Sequence, residues 1–103
     1  MSPWERIVAK YAEKGDPSLG RALDFNLAHG FVFSTPAFFI MGHELDGAWF
    51  IEGMAGDCSK AWSILPYELP SVGFQRFDND LRFYPIETLR RLSIPTDEMA
   101  KPA

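Results

Sequence analysis

Apolar positions fall into two helical stripes before residue 30 and two alternating stretches after it. Trp4, Ile7, Val8 and Tyr11 follow the i, i+3, i+4, i+7 spacing of one buried helix face. Ser2-Pro3-Trp4-Glu5 reads as the start of that helix: Ser2 caps, Pro3 suits the first helical position, and Glu5 completes a capping box. Gly15 is the stop. Asp16-Pro17 restarts the pattern, and Leu19, Ala22, Leu23, Asn26 and Leu27 make a second stripe that Asn26 interrupts. Gly30 ends it. His29 lies in the last turn, where the helix dipole favours a positive charge, and that placement accounts for it without a ligand or catalytic role.

Ala37 to Met54 reads as a β-hairpin about Asp46-Gly47, a pair suited to two consecutive residues at φ > 0. That turn sets Leu45 opposite Ala48, Glu44 opposite Trp49, His43 opposite Phe50, Gly42 opposite Ile51 and Met41 opposite Glu52. Strand alternation then places Phe38, Ile40, Trp49 and Ile51 on one face. The other face carries Phe39, Met41, Phe50 and Met54, with His43 and Glu52 as diagonal neighbours. Both faces are apolar, so both need cover.

Phe31-Val32-Phe33 is a short edge strand or the approach to the hairpin, broken by Ser34-Thr35-Pro36. Gly56-Asp57 turns and caps a short helix running to Leu65, stopped by Pro66, with Ala61, Ile64 and Leu65 inward and Trp62 on the border. Val72 to Tyr84 reads as a second hairpin about Asp78-Asn79-Asp80, pairing Phe77 with Leu81, Arg76 with Arg82, Gln75 with Phe83 and Phe74 with Tyr84. Pro85 opens a last helix. The elements predict an α+β fold: an antiparallel sheet of four to five strands built from two β-hairpins, packed with two N-terminal helices, one short middle helix and one short C-terminal helix. Residues 1–92 form the single domain and 93–103 a flexible C-terminal tail.

Composition narrows the class. The chain has 103 residues, 47% hydrophobic and 15% aromatic, enough to bury a core without disulfides or metals. A formal net charge of -4 speaks against a general polyanion binder. One cysteine, Cys58, excludes an internal disulfide and fits a reducing compartment. The first fifteen residues carry charges throughout and no apolar core, so they predict no signal peptide, and no apolar run reaches transmembrane length. The expectation is a soluble cytoplasmic protein with no membrane partner.

His43 and Glu52 are the one acid–base pair that the hairpin register brings to a common face. A carboxylate beside an imidazole holds its tautomer and raises its basicity, as a general base requires; the alternative is a partly buried, hydrogen-bonded polar pair. Cys58, next to Asp57, reads as a structural thiol rather than a nucleophile. Two histidines and one cysteine at scattered spacings match no metal pattern, and no glycine-rich phosphate loop or Gly-x-Ser-x-Gly elbow is present, so neither metal nor cofactor is expected. Arg76 and Arg82, interleaved with Phe74, Phe77, Phe83 and Tyr84, have the make-up of a single-stranded nucleic-acid platform, offset by Asp78 and Asp80.

Three functional readings follow. The first is a non-enzymatic binding or assembly domain, a homodimer or a partner of another protein, using the face with Phe38, Ile40, Trp49 and Ile51. The second is a small enzyme built on His43 and Glu52. The third is nucleic-acid binding through Arg76 and Arg82.

Overall fold

A computed structural model of the chain describes residues 1–66, 68–75 and 81–86. Helix α1 (Pro3–Glu13) starts as its sequence requires: Ser2 Oγ accepts the Glu5 backbone N–H at 3.1 Å, and the hydroxyl donates to the Glu5 carboxylate at the same distance. Ahead of α2 (Leu19–His29), Asp16 Oδ1 accepts the Ser18 N–H at 2.9 Å. Each helix buries a narrow line of residues four apart: Pro3, Ile7 and Tyr11 on α1, and Ala22 and Asn26 on α2. Val8 and Leu27, expected inward, flank those lines and are exposed.

Strands β1 (Phe31–Ser34), β2 (Phe38–Leu45), β3 (Ala48–Gly56), β4 (Ser71–Gln75) and β5 (Leu81–Pro85) form one sheet in the order of the chain, with α3 (Cys58–Ser63) between β3 and β4. β1 is an edge strand. Thr35 tightens its turn into β2 by accepting the Phe38 N–H on Oγ1 at 3.0 Å. At the central turn Asp46 has φ 51° and Gly47 φ 78°, and the pairs from Leu45–Ala48 to Gly42–Ile51 form as the sequence predicts.

Beyond Gly42 the register departs from the expected one. Met41 pairs with Gly53, not Glu52, so Glu52 is the extra residue of a β-bulge. The bulge reverses the alternation that follows it. Met54, expected beside Phe39 and Met41, packs instead with Phe38 and Ile40, while Ala55 joins Phe39 and Met41.

The sheet is also mixed rather than antiparallel throughout. β2 already occupies one edge of β3, and the segment through α3 carries the chain back so that β4 pairs parallel to the other edge, Trp49 with Val72 and Ile51 with Phe74. β4 and β5 pair antiparallel two residues away from the expected register: Arg82 lies opposite Phe74, and Phe83 opposite Gly73. A side chain at Gly73 would strike the Phe83 ring, with a Cβ only 2.5 Å from Cε1, so the ring covers the space that glycine leaves. A two-residue slip keeps every side chain on its face, which is why alternation alone does not select between the registers.

Each face of the sheet carries a packed cluster within the one chain. α1 and α2 bring Ile7, Tyr11 and Ala22 onto Phe39, Met41 and Ala55, and the Trp4 and Phe39 rings lie 5.1 Å apart. On the opposite face Phe38, Ile40, Trp49 and Ile51 pack with Met54, Trp62, Val72 and Ile86. Those first four side chains, expected to form a binding surface, are therefore core. Trp62, expected on the border of α3, is fully buried, and Ile64, expected inward, is exposed because α3 ends at Ser63. The Ile86 N–H donates to the Pro70 carbonyl at 3.1 Å, tying the end of β5 to the start of β4. The expected C-terminal helix beyond Ile86 and the tail at 93–103 lie outside the described residues. Among the described residues no helix is long and apolar enough to cross a membrane.

Candidate acid–base site

His43 on β2 and Glu52 on β3 do meet, and a third residue joins them. Asn26 faces the sheet from α2 and is fully buried. Its Nδ2 donates to the Ala22 carbonyl at 2.7 Å and to Glu52 Oε1 at 3.2 Å. Its Oδ1 lies 2.9 Å from His43 Nδ1. Because Nδ2 faces two acceptors, the amide orientation is fixed, and Oδ1 must accept. His43 Nδ1 therefore carries the proton. The neutral ring keeps its lone pair on Nε2, across the ring from Asn26.

Glu52 Oε1 also stands 3.4 Å from His43 Nδ1, too long for a good hydrogen bond but close enough to act as a charge. Two effects on the imidazole oppose each other. Burial lowers the His43 pKa below its ordinary value, and His29 adds to the lowering; Glu52 pulls upward and is outweighed. The site thus holds a neutral imidazole at neutral pH, of the Nδ1–H tautomer. A depressed histidine contributes stability that is whole above the ordinary pKa of about 6.5 and is lost as pH falls through the folded value.

The bulge and the aromatic residues shape the space around this network. Glu52, the extra residue of β3, leans to the helix side of the sheet beside the Met41–Gly53 pair. The His43 ring contacts Phe25, at 4.9 Å edge to face, and Phe50, at 5.4 Å. Together they line an open depression of about 460 Å³, closed on the helix side by Tyr11 and Ala22 and rimmed by Ser18 and Arg21. Burial first, then the charges of Glu52 and Asp16, hold the Tyr11 hydroxyl far above the ordinary phenol range, so it stays protonated.

Of the residues singled out from sequence, His43 and Glu52 share this depression. Phe38, Ile40, Trp49 and Ile51 lie under the opposite face. Arg76 is outside the described residues, and Arg82 is placed only by its backbone in β5, opposite Phe74. Cys58 begins α3 behind the Asp57 cap, whose carboxylate accepts the Lys60 N–H at 3.2 Å; its side chain is outside the described set. Asn26 was visible in the sequence only as a flaw in an apolar stripe. That flaw was the signal: a polar residue on the buried side of a helix needs partners, and His43 and Glu52 were the polar residues on the face that the helix covers. Among the described residues no group of histidine, cysteine and carboxylate side chains could hold a metal ion. No protein-family model, curated protein or solved structure matches the chain.

Proposed function

We propose that the depression between α2 and the sheet is a small-molecule site in which His43 accepts a proton or hydrogen bond at Nε2, making the chain a small acid–base enzyme. The fully buried Asn26 carries this reading. It spends both Nδ2 donor positions on acceptors, so its Oδ1 presents a fixed acceptor to His43 and holds the ring in one tautomer. General base catalysis needs a neutral imidazole with an oriented lone pair, and burial supplies the neutrality. Assembly through Phe38, Ile40, Trp49 and Ile51 would need exposed side chains, and these four are core. The nucleic-acid reading rests on Arg76 and Arg82, whose side chains are outside the described set.

Nitrogen-15 NMR of the imidazoles tests the proposal. At pH 7.5 His43 should show a protonated Nδ1 and a bare Nε2, and its pKa should fall below about 6.5. A panel of small amines, carboxylic acids and alcohols should contain at least one member that shifts the Nε2 resonance. A protonated Nε2, or a raised pKa, would remove the base. No shift from any member would reduce the network to a strut that holds α2 on the sheet.

A further inference from the structure

We infer that the depression beside His43 takes an organic ammonium group, a primary amine on a small apolar body. This rests on the reading of the depression as a small-molecule site, and it names the class of ligand.

Charge favours a cation. Glu52 stands in the depression, and the Asp16 carboxylate accepts the backbone N–H of Ser18, one of the lining residues. The charges that bear on Tyr11 are those of Glu52 and Asp16, both negative. Glu52 is also the charge that draws His43 toward protonation. Arg21 is the one cationic residue among the described residues lining the depression, and its charge bears on Asp16. An anion entering here would meet the Glu52 carboxylate. An ammonium would meet a carboxylate.

Hydrogen bonding and shape point the same way. An ammonium brings three N–H donors and no acceptor. The depression offers such a group two acceptors, the bare Nε2 and the Glu52 carboxylate, whose Oε1 is held by Asn26. Phe25 is 46% exposed and Phe50 half-buried, and both rings contact the imidazole. Aromatic faces attract a cation and also accept the apolar body attached to it. Neutral His43 adds no positive charge to oppose this.

Butylammonium, butyrate and n-butanol share an apolar chain and differ in the head group, so they separate the possibilities. Titrated at pH 7.5 and moderate salt, butylammonium should shift the His43 Nε2 and the Phe25 and Phe50 ring signals at millimolar concentration. Butyrate and n-butanol should bind at least tenfold more weakly. Glu52→Gln should weaken butylammonium roughly tenfold. Arg21 is exposed and outside the core, so Arg21→Ala keeps the test open if Glu52→Gln does not fold; it should tighten butylammonium by roughly threefold. Butyrate binding as well as butylammonium, with loss on Arg21→Ala, would overturn the ammonium assignment and keep the small-molecule site. Preference for n-butanol would also overturn it. Silence from all three probes would overturn the ammonium assignment, and silence across the wider panel as well would take the small-molecule reading with it.

Discussion

Trp49→Lys should abolish folding rather than release a soluble variant. Trp49 is 1% exposed, stands edge-on to Phe31 with ring centroids 5.2 Å apart, and packs in one cluster with Ile40, Trp62 and Val72. Truncating a buried tryptophan costs about 3–5 kcal/mol, and forcing an ammonium into the same space adds a desolvation cost. Small domains have about 5–15 kcal/mol in total. Far-UV circular dichroism and urea melts read the outcome, with Trp49→Phe as the milder control. A folded Trp49→Lys protein of sharply reduced mass would place that side chain at an interface between chains and restore the assembly reading.

Asn26→Asp should invert the pH dependence of stability. The wild-type amide donates to the Ala22 carbonyl and to Glu52 Oε1. An ionised aspartate donates to neither and sets a second carboxylate against Glu52. Glu52 Oε1 left without its donor, and a like charge beside it, should cost on the order of 3 kcal/mol near pH 8. His43 then faces two carboxylates, and its folded pKa rises above the unfolded value. Its contribution becomes one that is whole below pH of about 6.5 and is lost as pH rises through the folded pKa. The wild-type histidine, depressed by burial, has the opposite sign. On acidification from about pH 8 to 6.5 the variant should therefore gain stability from His43, whereas the wild type loses its His43 contribution only below about pH 6.5. Denaturant titrations at several pH values measure both slopes. Parallel slopes would mean that Asn26 does not govern the charge of His43.

The hairpin register was legible because one turn residue pair fixed it: Asp46-Gly47 determined four cross-strand pairs and brought His43 and Glu52 to one face. The bulge was not. Met54 and Ala55 are both apolar, so neither side of the sheet rejects either by polarity, and only packing volume decides. The parallel pairing of β3 and β4 was equally silent, since strand, helix and strand read the same whether the chain crosses over or folds back. Asn26 shows a third limit. Its position in the stripe predicted burial, but its partners lie on two strands that only the folded sheet brings beneath α2.

The parallel junction also has a temporal side. α1, α2 and the β1–β3 meander are joined by short turns, whereas Val72 reaches Trp49 only after the whole α3 segment has closed its loop. Contacts between distant parts of a chain wait for that loss of entropy. The β4–β5 pair is thus the part expected to dock last and to detach first, as a cooperative unit with its own opening free energy. His43, Asn26 and Glu52 all lie in the early part, so their network would persist through such openings, and amide exchange at Val72 and Phe83 would run ahead of exchange at Met41 and His43.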